Sequence, residues 1–417
     1  MSEWKKVRLG DCCVKIGSGS TPKGGSTVYI DSGTSFIRSQ NVYNLSFDYN
    51  GLTHITEEAA QKLKGVTIYK NDILLNITGD SVARTCIVPD CVLPARVNQH
   101  VAIIRVNEKI INSHYLNYFL TTPKMQAYML SLAVGKGASR NAMTKVMIEN
   151  FEVPCPPIET QHRIASILSR YDDLIENYQR QIKLLEEAAQ RLYKEWFVDF
   201  RFPGHETTKF VDGIPEGWNI TSVDNIIEKL ESGSRPKGGI DTSIKEGIAS
   251  VGAENVIGPG LYNFSSEKLV SYDFYKNAKK GKIENKDILI YKDGAYIGRT
   301  SLFQDNFPHK EAMVNEHVFL LHTKEEICQY FLFFTLYQKV YFEKMQKLNK
   351  NAAQPGLNQN AIKSLKLLMP NKKYIVKFDE VISPMMKKLF ALANQVRSLT
   401  EARDRLLPKL MNGEVEV

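Results

Sequence analysis

The sequence predicts an α+β fold: two mixed α/β domains that repeat one another, joined by a long antiparallel coiled-coil helix pair, with a pseudo-two-fold internal repeat. Three observations carry that expectation. A block of motifs returns at a nearly constant offset, two segments keep an unbroken heptad spacing of apolar residues, and the stretches between hold short β-branched or aromatic runs bounded by polar turns. A chain of 417 residues, 43% hydrophobic and 24% charged, is long enough for two or three domains at roughly 150 residues each.

The repeat is read from order and spacing. Trp4 returns as Trp218, and Gly17-Ser-Gly-Ser-Thr-Pro-Lys-Gly-Gly25 returns as Glu231-Ser-Gly-Ser-Arg-Pro-Lys-Gly-Gly239, both 214 residues on. Asn41-Val42 matches Asn255-Val256 at the same offset. Asp72-Ile-Leu-Leu, Gly79 and Arg84-Thr85 match Asp287-Ile-Leu-Ile, Gly294 and Arg299-Thr300 at 215. Val97-Asn-Gln-His100 pairs with Val314-Asn-Glu-His317, and Gly135-Lys-Gly-Ala138 with Asn349-Lys-Asn-Ala352. Within each copy, Val101–Val106 and His317–Leu321 read as strands, and Tyr115 to Leu132 and Ile327 to Leu348 as helices.

After Pro154 and Pro157 the periodicity changes. Ile164, Leu168, Tyr171, Ile175, Tyr178, Ile182, Leu185, Ala189, Leu192 and Trp196 alternate steps of four and three, and so do Phe378, Ile382, Met385, Leu389, Leu392, Val396, Leu399, Arg403, Leu406 and Leu410. Such a seam keeps one stripe facing one partner helix. Ile164, Leu168, Ile175, Ile182, Leu185 and Leu192 are therefore expected to meet Ile382, Leu389, Leu392, Val396, Leu399 and Leu406. The first helix should end before Phe202-Pro-Gly204 and the second near Asn412-Gly413. Pro384 predicts a kink, or a helix that begins only after it. The expected division is 1–155 and 204–370 for the repeated domains, with helical spacers over 156–203 and 371–417.

Lys and Arg number 54 against 46 Asp and Glu, a net charge of +8. From Pro157 to Phe200 there are eight acidic and six basic residues and from Asn371 onward nine basic and six acidic, which leaves +7 on the rest of the chain, mainly the repeated domains. That balance leans toward a polyanionic partner. The six cysteines have no CxxC pair or regular spacing, so a zinc site or disulfide framework is not expected and the thiols should be reduced and mostly buried. The start, MSEWKKVRLG, lacks an apolar leader and no apolar run approaches the roughly 18 residues of a membrane helix, so a cytoplasmic protein is expected.

Catalytic signatures are missing. Gly135-Lys136 is followed by Gly137 and lacks the upstream glycine of a phosphate loop, and Pro22 breaks the GxGxxG-like start at Gly17 and Gly19. There is no GxSxG elbow, no HExxH pair, and no Asn/Asp-Pro-Pro-Tyr of an amino-methyltransferase. His100 and His317 occupy equivalent positions, but a histidine at a strand edge is more often structural. No catalytic residue, metal or cofactor is expected.

Reading DNA requires Lys or Arg for phosphates and groups of fixed donor and acceptor geometry for base edges. The first domain offers Ser18, Ser20, Lys23, Arg38, Gln40, Asn41, Arg84, Asn98, Gln99, Lys136 and Arg140. The second offers Ser234, Arg235, Lys237, Glu254, Asn255, Lys292, Arg299, Asn315, Lys350 and Gln354. Residues that differ between copies, such as Thr21 against Arg235 and Gln40 against Glu254, are better placed to choose bases than residues that match. The rival expectation is a two-domain adaptor that binds protein, whose binding would not weaken with salt as DNA binding does.

Two segments carry a family resemblance: Ile158-Glu-Thr-Gln-His-Arg-Ile-Ala-Ser-Ile-Leu168 and Arg403-Asp-Arg-Leu-Leu-Pro-Lys-Leu-Met-Asn-Gly-Glu-Val-Glu-Val417. Over essentially its whole length the chain resembles the specificity subunit of type I restriction-modification systems. The resemblance implies two target-recognition domains reading a split site on double-stranded DNA, and helices that fix the gap and dock two methyltransferase subunits, with motor/endonuclease subunits joining them. It also implies a departure: Arg140-Asn-Ala-Met143 stands where the second copy has the more usual Gln354-Pro-Gly-Leu357. About 35 to 40 helical residues span on the order of 55 Å, more than one turn of DNA. That span makes two half-sites on one duplex face reachable, and the resemblance implies half-sites of about three to five base pairs separated by about five to eight.

Overall fold

The computed structural model of the chain describes residues 4–134, 142–294, 296–349 and 356–417. These fall into two compact units, 1–174 with 399–417, and 175–398.

In the first unit a four-stranded antiparallel sheet runs in the order Thr85–Ile87, Ile73–Asn76, Val101–Val106, Cys13–Ser18. Beside it lies a five-stranded sheet, ordered Tyr29–Ile30, Thr53–Ile55, Thr34–Ile37, Ala95–Val97, Thr67–Ile68, in which Thr34–Ile37 and Ala95–Val97 pair in parallel. Both parallel strands are buried along their whole length, as a parallel pair covered on two faces demands.

The second unit repeats this plan. Ile227–Ser232, Val318–Thr323, Ile288–Tyr291 and Thr300–Leu302 form the four-stranded sheet in the corresponding order. Ile248–Val251 and Ala312–Val314 form the parallel pair, with Leu269–Val270 alongside. The counterpart of Thr67–Ile68 shrinks to one bridge, Lys282 to Met313. Each copy is closed by a two-stranded ribbon that returns the chain beside its own start, Lys6–Arg8 with Glu152–Pro154 and Asn219–Ser222 with Lys366–Met369.

The repeated Asp-Ile-Leu motif owes its recurrence to the fold. Asp72 is fully buried, accepts from the Tyr69 amide at 2.8 Å and from Arg105 Nη2 at 2.7 Å. Asp287 is equally buried, accepts from the Glu284 amide at 2.8 Å and lies 2.8 Å from His322 Nδ1. Each caps the turn that launches the central strand, and each is partnered because a buried lone carboxylate is costly. Burial still pushes the Asp287 carboxyl up, against the opposing pull of its hydrogen bonds and of Lys229.

The predicted helix over 115–132 is in fact two helices, Ser113–Thr121 and Pro123–Ala133. Thr122 is extended and caps the second with its hydroxyl on the Met125 amide, and Pro123 takes the first helical turn, where its missing N–H costs nothing. The second copy breaks at the same place, Gln329–Tyr337 and Lys339–Asn349, with Gln338 extended and no proline to enforce it.

Two 40-residue helices, Ile158–Phe197 and Lys372–Met411, contribute to both units. In the first unit Ile164 and Leu168 share a core with Leu407 and Leu410. In the second Ile182, Leu185, Ala189 and Leu192 pack in one core with Ile382, Leu389, Leu392 and Val396. Early residues of one helix meet late residues of the other, so the pairing is antiparallel in each unit. The buried face is wider than the heptad seam, since Tyr193, Phe197, Met386 and Phe390 also turn inward. Phe197, for example, packs 5.0 Å from both Phe331 and Phe378, ring centre to ring centre.

Pro384 does not mark a helix start: the helix begins twelve residues earlier, at Lys372. Pro384 removes the donor that the Glu380 carbonyl would otherwise have within the helix, and both residues lie on the exposed face. Gln161, in the family-like segment, is fully buried; it accepts from the Asn112 amide and donates to the Pro156 carbonyl, tying the first helix to its domain. All six cysteines are free thiols, but only Cys12 and Cys86 are buried and Cys91 is exposed. Among the described residues no helix is long and apolar enough to cross a membrane, and no group of His, Cys, Asp and Glu could hold a metal ion.

Candidate nucleic-acid interface

The Gly-Ser loop follows the edge strand of the four-stranded sheet in both copies and is fixed by a glycine. Gly19 donates to the Val101 carbonyl and Ser20 to the Val97 carbonyl, each at 2.9 Å. A Cβ at Gly19 would collide with the carbonyls of Val97 and Asn98, and one at Gly233 with that of Val314. Only glycine lets the loop lie against this backbone, and the next residue then faces a cleft.

The cleft recurs. In the first copy it encloses about 270 Å³ and is lined by Ser20, Thr21, Lys23 and, from the helix Glu57–Lys62, Glu58 and Lys62. In the second it encloses about 610 Å³ between Ser234 and the end of the helix Tyr272–Asn277, with Lys279 and Lys280 on its wall. Lys62 pairs with Glu58 at 2.5 Å and holds that carboxyl below its ordinary range, whereas Lys23, Lys279 and Lys280 have no ion pair among the described residues.

The turn joining the two sheets of each copy supplies the second part. Asn98 accepts from the His100 amide at 3.2 Å and Asn315 from the His317 amide at 2.9 Å, an Asx turn that leaves residues 99–100 and 316–317 at the surface. Thr21 donates to Gln99 across this turn, and Arg235 Nε meets Glu316 Oε1 at 3.1 Å in the same position. His100 Nδ1 lies 2.6 Å from Thr78 Oγ1, and His317 Nδ1 lies 2.8 Å from Asp293 Oδ2.

The structure separates the candidate residues by burial. Asn41, Asn98, Asn255 and Asn315 are buried. Asn41 accepts from the Arg38 amide and donates to the Asp48 carbonyl; Asn255 accepts from the Gly252 amide and donates to the Asn263 carbonyl. These four brace loops from inside: Asn41 and Asn255 commit both ends of their amides to their own loops, while Asn98 and Asn315 commit their oxygens to the turn, which sets all four apart from the surface candidates. They are also residues that match between copies.

The rest lie at or near the surface. Ser18 ends its strand, exposed, and Lys237 is exposed. Arg38 and Gln40 both donate to the Gly51 carbonyl. Arg84 stacks over Tyr43 at 4.6 Å and Arg299 over Tyr296 at 4.0 Å, while Lys292 sits 5.2 Å from the Phe319 ring. Burial pushes the Glu254 carboxyl up, but the 2.7 Å contact from Lys268 wins and holds it below the ordinary range. Lys136, Arg140, Lys350 and Gln354 lie outside the described residues. Lys62, Lys279, Lys280, Thr78, Asp293 and Glu316, which the fold brings to these clefts and turns, are not among the residues picked out from the sequence. The last two carried a signal, a neutral residue turned acidic at an equivalent position.

Comparison with known proteins supplies the remaining evidence. The type I restriction enzyme MjaIX specificity subunit of Methanocaldococcus jannaschii is 27% identical over all of this chain and 94% of its own length. The HindI specificity subunit of Haemophilus influenzae is 22% identical, with both chains covered in full. The solved structure of a type I restriction-modification S subunit from M. genitalium shares the fold, with a TM-score of 0.60 at 15% identity over 98% of this chain and 96% of that one. The pattern of the type I restriction modification DNA specificity domain matches twice, at residues 1–187 and 215–401. With the fold repeated, the polar loops repeated and the family pattern repeated, the chain belongs to the type I restriction-modification specificity family, whose subunits recognise DNA sequence and are themselves non-catalytic.

Proposed function

We propose that this chain reads a bipartite duplex site, one half-site through each repeated domain (1–155 and 204–370), with the gap set by the helical segments 156–203 and 371–417. The observation that carries the reading is that both copies hold the same surface in different chemistry. A cleft beside the Gly-Ser loop and a polar turn recur in the same places, the cleft carrying lysines from different positions in each copy, while other side chains at or near the surface differ: Thr21 and Arg235, Gln40 and Glu254, Gln99 and Glu316. Common positions suit the phosphate backbone, which is the same everywhere, and differing positions suit base edges, which are not.

The helices, on this reading, dock two methyltransferase subunits through outward residues such as Arg180 and Gln395, and motor/endonuclease subunits join that assembly. Arg180 is exposed and, among the described residues, pairs only along its own helix, with Glu176 at 2.5 Å. The deciding experiment is to express the chain with its methyltransferase, supply a methyl donor and map modified bases on genomic DNA. A split motif whose halves change independently when either domain is exchanged supports the reading. A single continuous motif, or one indifferent to both exchanges, overturns it.

A further inference from the structure

Four surface positions form the same chain of contacts in both copies, and none of the comparisons assigns them a role. In the second copy Asp293 holds His317 at 2.8 Å, His317 Nε2 lies 3.5 Å from Glu316 Oε1, and that oxygen forms an ion pair with Arg235, 3.1 Å from its Nε. In the first copy Thr78 holds His100, His100 Nε2 lies 3.3 Å from Gln99 Nε2, and Gln99 Oε1 receives Thr21. The links are matched one for one. Only the chemistry changes, from neutral throughout to Asp-His-Glu-Arg.

The charged version orients an arginine. Glu316 pairs with Arg235 on the Nε side of the guanidinium, and the two terminal nitrogens donate to no other group among the described residues, so they remain available. The side chain is 61% exposed, against 30% for Glu316, which places the fork on the solvent side of the pair. A guanidinium held at Nε with its fork free matches the O6 and N7 acceptors of guanine in the major groove. Glu316 Oε1 is the atom that faces both Arg235 and His317, while Oε2 is buried and finds no donor among the described residues.

We propose that Arg235, positioned by Glu316 and His317, selects a guanine in the second half-site, and that Thr21 with Gln99 is the neutral form of the same device in the first. This deepens, and rests on, the reading of the chain as a bipartite DNA reader. Glu316 is a positioning residue; Arg235 is the contact. A threonine at 21 is too short to reach a base as arginine does, so the first half-site has no guanine requirement from this position.

The test uses the full chain with its methyltransferase, mapping modified bases for wild type, Arg235→Ala, Arg235→Lys, Glu316→Gln and the graft Thr21→Arg with Gln99→Glu. For wild type the second half-site contains a G·C pair. Arg235→Ala relaxes that pair alone, by about tenfold to a hundredfold in discrimination. Arg235→Lys keeps the positive charge, and with it DNA affinity and folding, yet relaxes the same pair. Glu316→Gln relaxes it less. The graft adds a guanine requirement to the first half-site. If the wild-type motif is split but its second half lacks any G·C pair, or Arg235→Ala and Arg235→Lys leave the motif unchanged, the assignment is overturned while the bipartite reading stands. If wild type yields no split motif, the reading itself falls.

Discussion

Arg403 Nη1 donates to Asp172 Oδ1 at 2.6 Å, joining the two long helices at the one position of the second seam that is not apolar. The second Asp172 oxygen accepts from Tyr118. Burial alone would lower the Arg403 pKa, but the Asp172 hydrogen bond and charge outweigh it, and the guanidinium is held charged. At 15% and 23% exposure the pair is largely out of water, where a single truncation strands the other charge. Arg403→Met is expected to destabilise the chain by about 1–3 kcal/mol in denaturant unfolding. Adding Asp172→Asn should recover part of that loss. A purely additive double variant would show that the pair does not couple.

The lysine clefts predict a salt signature. Replacing Lys23 and Lys62, or Lys279 and Lys280, with Gln should weaken DNA binding equally for all sequences and lower the slope of log affinity against log salt by about 1 to 2. The motif should not change. An unaltered slope would remove the clefts from the interface.

Asn41→Ala and Asn255→Ala should act on stability instead. Each strands a backbone amide and a carbonyl inside a loop, at a cost of about 1–3 kcal/mol. Melting should fall by several degrees for either variant, with the motif retained by the protein that stays folded. A changed motif at full stability would restore these residues as base contacts.

Glu186 predicts a pH dependence. Burial raises its pKa, although Tyr337 OH donates to it at 2.6 Å and Gln190 at 3.2 Å. The folded chain therefore binds that proton more tightly than the unfolded chain does. Its stability is favoured while the carboxyl is protonated and declines as pH rises from the ordinary glutamate range through the raised value. Glu186→Gln should match wild type near pH 4 and melt higher than wild type near pH 8, with Tyr337 still donating to the amide oxygen. Equal melting at both pH values would show that the carboxyl ionises freely.

Docking along the helices predicts that Arg180→Glu with Gln395→Lys dissociates the methyltransferase complex in gel filtration while leaving the isolated chain's melting unchanged. Leu185→Asp, inside the seam, should instead unfold the pair. A complex that survives the outward charge changes would rule out this face.

Much of the architecture was legible because it is written locally. A heptad seam is a property of residues three and four apart, and a duplication is a property of order, so neither requires knowledge of where the chain goes. Both long helices, the central strands such as Val101–Val106 and the pairing of equivalent motifs could be read that way. The helix breaks at Thr122 and Gln338 were not, because apolar periodicity runs straight through them and only the packing of two short helices on the sheet distinguishes a break from a continuation.

The composition of the interface was decided by the tertiary fold. Asn41 and Gln40 are neighbours in sequence and equally polar, yet one is buried as a brace and the other exposed, since the turn after Arg38 rotates them to opposite sides of the backbone. The sequence by itself determined that there are two copies, that a helix pair joins them, and which positions match and which differ. Only the folded chain brings Thr21 to Gln99 and Arg235 to Glu316, roughly 80 residues apart in each case, because a side-chain contact depends on the return path of the backbone and not on the residues that make it.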